Sequence, residues 1–317
     1  MGTRSCGLSV DALSERDLLE VQEYFGLPSP ALVEKDFHVV KALTAIAAVE
    51  AAPFKLVFGG GTALSRAHRL ISRMSEDIDL KIVAETDPPR SALRRLRDNV
   101  TQALLDADFV FDPNNAAHRQ SRNESKYTIF RLPYPAIMPG EGALRPEIQV
   151  ELSLWPLRRP AVDLPVTSFV AEANGRQPEL PSLACVSVAE TAAEKLVALT
   201  RRAATEMARA DGERDPTLVR HLYDLHVLRA YYDPADVAAL ARDVMQDDAR
   251  AYGNQFPAYR DNPLGETLRA VECMSTDGAY KAGYAAFHDA MIYGDHIDFG
   301  TCIATLQELA AALRPAL

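Results

Sequence analysis

The sequence predicts an α+β fold, in which a mixed sheet with flanking helices is followed by a helical region. Short runs with strand character recur from residue 55 to residue 154, separated by helical segments and by proline-rich turns. From Val188 onward the apolar residues follow helical spacing instead. With Pro178 and Pro181 marking the boundary, we expect two domains, residues 1–180 and residues 181–317, and an active-site cleft between them.

The chain begins with a helical pattern from Ser14 to Ala52. Ser14 and Asp17 have the spacing of a capping box, which predicts the start of a first helix. Apolar residues recur at helical spacing from Leu32 to Ala48. The apolar run from Lys55 to Phe58 then predicts a buried strand, the first of the sheet.

Three glycines, Gly59 to Gly61, follow this strand and predict a sharp turn that opens a short helix from Thr62 to Leu70. A second strand is predicted from Asp77 to Val83. Because strand side chains alternate, Asp77 and Asp79 lie on the same face, with Cα atoms roughly 6.5–7 Å apart. Two carboxylates beside a glycine turn suit a divalent cation that holds a triphosphate, and Ser75 is placed to bond a phosphate or to cap the turn.

The alternative interpretation, without a functional site, is a chance pair of aspartates beside a tight loop. A purely structural strand has little use for two like charges on one face, since they repel unless a cation lies between them. The joint pattern of strand, glycine turn, helix and aspartate-bearing strand therefore favours a metal site.

The remaining elements follow the same reasoning. We predict a basic amphipathic helix from Arg90 to Ala107 and strands at Phe109–Phe111, Tyr127–Leu132 and Glu147–Leu154. Proline predicts breaks and loops at residues 133, 135, 139, 156, 160 and 165, and the helical region is predicted to break near Asp211-Gly212, Asp233-Pro234 and Asn262-Pro263.

A third carboxylate is expected on a strand beside the two aspartates. In the strand from Glu147 to Leu154, Glu147, Gln149 and Glu151 share one face. Either glutamate could ligate the metal or take a proton from an attacking hydroxyl, and the alternative is an exposed polar strand face. The residues alone leave this choice open.

Several segments together resemble a known family. GGGTALSRAH (residues 59–68) and RMSEDIDL (residues 73–80) resemble the AbiEii/MenT group of nucleotidyltransferase toxins, within the DNA polymerase β-like superfamily. Val33 to Phe37 resembles the EKD-aromatic segment of this group, Ala193 to Leu199 its EKLxAL helix, and Arg220 to Leu225 its RDxxDL segment. The resemblance covers residues 30 to 230 and implies a polymerase β-like nucleotidyltransferase core.

The resemblance implies nucleotidyl transfer from an NTP with one or two Mg²⁺ ions. Asp77 and Asp79 would hold the metal, and Glu151, in the segment QVELS, would be the third acid. Lys195 would reach the triphosphate, and Asp224 would orient Lys195 or contact the nucleotide. The implied phosphate-binding residues are Gly60, Gly61, Thr62 and Ser75. One departure stands out, because the family usually has an acid where this chain has His221, whose role stays open.

The acceptor is the least specified part of the reaction. The resemblance implies an RNA acceptor, the tRNA 3′ end, with a block of translation and a cognate antitoxin as partner. Alternatives are nucleotidylation of a small molecule or a protein side chain by the same core, or a nucleotide-binding module without turnover. The net charge of −10 favours a smaller acceptor, whereas arginine-rich segments favour RNA: residues 90–97, residues 119–131 and Arg201-Arg202.

Composition agrees with a globular enzyme, since 48% of the 317 residues are hydrophobic and 25% are charged. No apolar run approaches the ~20 residues that span a bilayer, and the segment from Met1 to Val10 lacks the layout of a signal peptide. The four cysteines, including Cys6, are scattered without metal-ligand spacing. These observations predict a cytoplasmic protein with free thiols.

Overall fold

The computed structural model describes residues 13–138, 144, 147–209, 214–253 and 256–314. The predictions for Met1 to Val10, Cys6, Pro139 and the break at Asp211-Gly212 lie outside these residues.

A seven-stranded mixed sheet forms the centre of the first half of the chain. Its strand order is β3-β4-β5-β2-β1-β7-β6. Strand β2 is parallel to β5 and β1 is parallel to β7, while the other neighbouring pairs are antiparallel. The strands are β1 (Lys55–Gly59), β2 (Asp77–Val83), β3 (Arg119–Arg122), β4 (Tyr127–Pro133), β5 (Glu147–Leu154), β6 (Val162–Val166) and β7 (Leu180–Cys185).

Helices flank this sheet. The predicted capping box is confirmed, because the backbone N–H of Asp17 donates to the Ser14 hydroxyl while the Asp17 carboxylate accepts from the Ser14 N–H. The glycine turn opens a short helix that continues as a π-helical turn over Ala63–Ala67. The helices are α1 (Glu15–Phe25), α2 (Pro30–Ala47), α3 (Gly60–Thr62), α4 (Arg90–Asp106) and α5 (Phe169–Ala173).

Every described element after β7 is helical, as predicted. The predicted breaks are helix starts, since the side chains of Asp233 and Asn262 accept from backbone N–H groups and cap α8 and α10. The helices are α6 (Val188–Ala208), α7 (Arg220–Val227), α8 (Pro234–Tyr252), α9 (Pro257–Asp261), α10 (Pro263–Thr276), α11 (Gly278–Met291) and α12 (Phe299–Leu313). The α+β class with a helical C-terminal region is therefore confirmed, and the division into domains at residue 180 stays a prediction.

Alternation along β2 and β5 separates an apolar face from a polar face. Ile78, Val150 and Leu152 are fully buried in a core that also contains residues of α2 and α4. Asp77, Asp79 and Glu151 point to the opposite face, as strand geometry requires. Helices α2 and α4 therefore cover one side of the sheet, and the carboxylates lie on the other.

Two predictions about this half are wrong. Phe109–Phe111 forms no strand, although both phenylalanine rings are buried in the core. Pro165, predicted in a loop, lies in edge strand β6, where the register with β7 is irregular and no hydrogen bond from residue 165 is required. Pro181, which marks the predicted domain boundary, lies in β7, and that boundary stays a prediction. None of the described helices has both the length and the apolarity needed to cross a bilayer.

Candidate active site

A cavity of about 370 Å³ opens over the polar face of the sheet. Its floor consists of the glycine turn and the facing side chains of β2 and β5, and its walls come from α6, α7 and α8. Seven of the predicted site residues line it: Gly60, Gly61, Ser75, Asp77, Asp79, Glu151 and Lys195. Segments that are distant in sequence are thus brought to one place, while Thr62 and Asp224 lie behind its surface.

The three acids occupy neighbouring positions on two parallel strands. Asp79 is directly opposite Glu151 in the ladder between β2 and β5, and Asp77 is opposite Gln149. Glu147 precedes the part of β5 that pairs with β2. Its carboxylate lies 3.8 Å from Nε of Arg131. The strand register therefore favours Glu151 over Glu147 as the third carboxylate.

Negative charge is crowded around the buried Asp79 carboxylate. Burial raises the pKa of Asp79 to about 7, and repulsion from Glu151 and Asp77 adds to this effect. Glu151 accepts two hydrogen bonds, since Nε2 of Gln149 donates to its Oε1 at 2.7 Å and the Tyr127 hydroxyl also bonds it. A cation bound beside Asp77 and Asp79 would relieve the excess negative charge.

The donor set can be compared with the needs of a metal ion. Within the part of the chain that the structure describes, no group of three or more His, Cys, Asp or Glu side chains is placed to hold a metal ion by itself. Magnesium is commonly bound by one or two carboxylates together with substrate phosphates. Asp77 and Asp79 fit that mode, in which the nucleotide completes the coordination.

The glycine turn approaches the acids closely. Gly60 has φ +71°, and a Cβ at this position would overlap the Asp79 carboxylate. A Cβ at Gly61 would lie 2.5 Å from the Ser75 hydroxyl and 2.7 Å from Nη2 of Arg73. Only glycine combines this backbone conformation with this contact, so the turn leaves the carboxylate edge open for a ligand.

Thr62 supports the neighbouring site residues Ser75 and Asp77. Its side chain is buried, and its hydroxyl donates to the carbonyl oxygen of Asp77 at 2.5 Å and lies 3.1 Å from the Ser75 hydroxyl. These bonds tie the glycine turn to the start of β2. The predicted contact of Thr62 with nucleotide stays a prediction, and the observed contacts position Ser75 and Asp77.

Lys195 belongs to a buried ionic group. Its Nζ lies 2.6 Å from Oδ2 of Asp224, and Arg73 donates from Nε and Nη2 to the two oxygens of the same carboxylate, each at 2.6 Å. Burial alone would raise the pKa of Asp224, but the two cations hold it below its ordinary value. Burial lowers the pKa of Lys195, although Asp224 opposes this effect. Asp224 thus orients Lys195 toward the cavity and does not itself line it.

Sequence reasoning missed several cavity residues. Lys81 continues the alternation of Asp77 and Asp79, which could have identified it. Its Nζ lies 2.6 Å from Glu190 and 2.5 Å from Glu194, both on α6. No sequence signal distinguishes three further lining residues, which the fold brings to the cavity: Tyr127, Trp155 and Asp248.

His221, where the family usually has an acid, also lines the cavity. Burial lowers its pKa well below the ordinary value, and nearby Lys195 and Arg220 lower it further. Its Nδ1 has no hydrogen-bond partner among the described residues. His221 is therefore a neutral side chain at the cavity wall, with a free ring nitrogen.

The arginine-rich segments are distributed unevenly around the cavity. Helix α4, with its four arginines, packs on the sheet face opposite the acids. In the second segment, Arg119 pairs with Asp98 and Lys126 with Asp87 on the surface. Arg201 and Arg220 do line the cavity.

The upstream EKD segment lies outside the cavity and is fully or nearly buried. Glu34 accepts from the backbone N–H groups of Ile137 and Met138, and Nζ of Lys35 lies 2.6 Å from Glu76. Lys35 also donates to the carbonyl oxygen of Glu147 at the start of β5. This segment therefore holds the beginnings of β2 and β5 in place.

Comparison with known proteins decides the family. The model of the type IV toxin–antitoxin nucleotidyltransferase toxin AbiEii matches residues 41–309. This chain belongs to the AbiEii family. It is therefore a nucleotidyltransferase toxin of a type IV toxin–antitoxin system, which confirms the resemblance. The EKD segment precedes the matched residues.

Among solved structures, the chain is similar to MenT4, a nucleotidyltransferase toxin from Mycobacterium tuberculosis H37Rv. The two share 20% sequence identity with a TM-score of 0.56, over 95% of this chain and 90% of MenT4. At this identity the likeness is one of fold. A comparison with curated proteins gives no match.

Proposed function

We propose that this AbiEii toxin is a Mg²⁺-dependent enzyme that transfers NMP from an NTP to the 3′ end of tRNA and thereby blocks translation. The observation that carries the proposal is the cavity itself. It unites the glycine turn, the Asp77/Asp79 pair, Glu151 in register with Asp79, and Lys195 held by Asp224.

The roles of these residues follow from their positions. The triphosphate lies against Gly60, Gly61 and Ser75, with Lys195 as the opposing cation. Asp77 and Asp79 would hold Mg²⁺, which would neutralise charge on the triphosphate and on the pyrophosphate that leaves. These residues also keep the α-phosphorus in place for in-line attack.

Glu151 takes the proton from the attacking hydroxyl. Its carboxylate accepts hydrogen bonds from the Gln149 amide and the Tyr127 hydroxyl, which orient it. A base must first lie within reach of the proton it abstracts, and the register places Glu151 directly beside Asp79.

The acceptor is proposed from the family together with the charge of the cavity. Arg220 at the wall can contact phosphates of an RNA end, although the chain as a whole is acidic and Arg201 at the same cavity is paired with Asp248. The same family membership implies a cognate antitoxin as partner, and a tRNA substrate implies action in the cytoplasm.

The decisive experiment follows labelled nucleotide. The purified protein is incubated with Mg²⁺ and each α-labelled NTP, with and without total tRNA, beside Asp77→Ala and Asp79→Ala variants. Label on tRNA that disappears in both variants supports the proposal. Label on a small metabolite or on protein, with tRNA untouched, would leave the enzyme class standing and reject the acceptor.

A module without turnover would bind NTP and transfer no label to any acceptor.

Glu308→Gln on α12 is the control variant. Its carboxylate is exposed and does not line the cavity, so the change should not affect transfer.

A further inference from the structure

Trp155 is the single tryptophan of the chain and lines the active-site cavity. Glu151, Ser153 and Trp155 follow one another at every second position, so they share the polar face of the sheet. Trp155 lies four positions after Glu151, which corresponds to roughly 13 Å along an extended strand. The indole therefore lies at the end of the cavity opposite the glycine turn.

The backbone around Trp155 is firmly held. Its N–H donates to the carbonyl oxygen of Ile82 at 3.4 Å, which continues the contact between β5 and β2. Just beyond it, the N–H groups of Arg158 and Arg159 both donate to Glu190 of α6, at 3.0 and 2.8 Å. The Arg158 side chain also pairs with Asp247 of α8 at 2.5 Å. The backbone at and just after Trp155 is thus fixed to β2, α6 and α8.

The charges at this end are compensated within the protein. Lys81 lies between Glu190 and Glu194, and Arg201 pairs with Asp248 at 2.8 Å. Ala198 and Val244 add apolar surface from α6 and α8. In contrast, the other end has crowded carboxylates and open backbone. The Trp155 end therefore suits an uncharged planar group better than a phosphate.

We propose that the nucleobase of the NTP stacks on the indole of Trp155, while the triphosphate lies at the glycine turn. The inference rests on the proposed function, because it assigns a second part of the same nucleotide. Stacking on an aromatic ring is available to every base, since each has a π-face. Trp155 thus contributes to nucleotide affinity and does not take part in the transfer step.

Because Trp155 is the only tryptophan, its fluorescence reports directly on this end of the cavity. We would titrate the full-length protein with Mg²⁺ and each NTP, measuring binding heat and tryptophan emission in parallel. Inorganic tripolyphosphate, which has no base, is the matched ligand control. The expected result is binding of both ligands with a change in emission for the NTP alone.

Variants supply the kinetic test. Trp155→Ala should raise KM for the NTP by about 5- to 150-fold, the range for loss of one aromatic stack, with kcat changed less than threefold. Trp155→Phe keeps a ring and should lie close to the wild type. Tyr231→Ala, an exposed aromatic outside the cavity, is the control, and the unfolding midpoint of each variant verifies its fold.

Two results would overturn the inference. NTP binding heat without any change in emission, together with an unaltered KM in Trp155→Ala, would place the base elsewhere and leave the proposed function intact. Absence of binding heat with every NTP would overturn the inference and the proposed function together.

Discussion

Nζ of Lys195 lies 2.6 Å from Oδ2 of Asp224, a carboxylate with no exposed surface. The same carboxylate receives two bonds from Arg73, which begins the segment leading to Ser75 and Asp77. One buried anion therefore connects the helix that carries the cavity cation with the segment that leads to the acids for which we propose metal binding. Both stability and activity should depend on it.

Asp224→Ala should destabilise the protein by about 3–5 kcal/mol, because it leaves two buried cations without their partner. The free energy of unfolding from urea denaturation measures this change. The matched control is Glu308→Gln, which removes the partner of Arg229 at an exposed site and should change stability by about 1 kcal/mol or less. Equal effects of the two variants would contradict the importance of the buried group.

Lys195→Met should reduce nucleotidyl transfer by about 10²-fold or more, the magnitude observed when one preorganised electrostatic contact is lost. Arg73 still pairs with Asp224 in this variant, so folding should be retained. Initial rates at saturating NTP measure the effect, with Lys281→Met on the exposed surface of α11 as control. Wild-type rates in Lys195→Met would show that Lys195 does not contribute to nucleotidyl transfer.

Gly60→Ala should abolish transfer, because its methyl group would overlap the Asp79 carboxylate as well as strain the backbone. Gly26→Ala is a close control, since Gly26 also has positive φ, +62°, but a Cβ there meets nothing within 4 Å. Both variants should lose about 1–3 kcal/mol of stability through backbone strain. Only Gly60→Ala should lose activity, and activity in both variants would disprove the close approach.

Asp36 should give stability a measurable dependence on pH. Burial raises its pKa from 3.8 to about 6, despite the nearby Arg66. The folded protein therefore holds a proton that the unfolded chain has released, so this contribution to stability falls as pH rises from 3.8 to 6. Relative to Asp36→Asn, the free energy of unfolding of the wild type should fall by about 2–3 kcal/mol between pH 3.8 and pH 6. Denaturation at pH 4, 5, 6 and 7 tests the trend, and parallel curves for the two proteins would contradict it.

The strands that carry the acids could be predicted from sequence because local pattern determines them. Alternation of Asp77, Ile78 and Asp79 identifies β2, and the same pattern identifies β5 with its predicted bounds. In contrast, the strand predicted at Phe109–Phe111 was wrong, because buried aromatic rings serve a core equally well from irregular backbone. Strand β3 was missed because it is polar and short.

The site could be predicted only in part, for a different reason. Spacing identifies groups on one element, such as Asp77 and Asp79, and the family resemblance added Lys195 and Glu151. The pairing of Lys81 with Glu190, or of Arg73 with Asp224, joins residues more than a hundred positions apart. Such pairs depend on strand order and helix packing, which local periodicity does not contain.

The cavity takes its floor from β2 and one of its walls from α8, the last of its segments to be synthesised. Strand β1, which precedes β2 in the sequence, gains its neighbour β7 only when residue 185 has been made. A chain still on the ribosome before residue 248 possesses the acids but lacks the enclosure around them. A nascent chain that ends before α8 therefore lacks one wall of the cavity in which we propose that nucleotide binds.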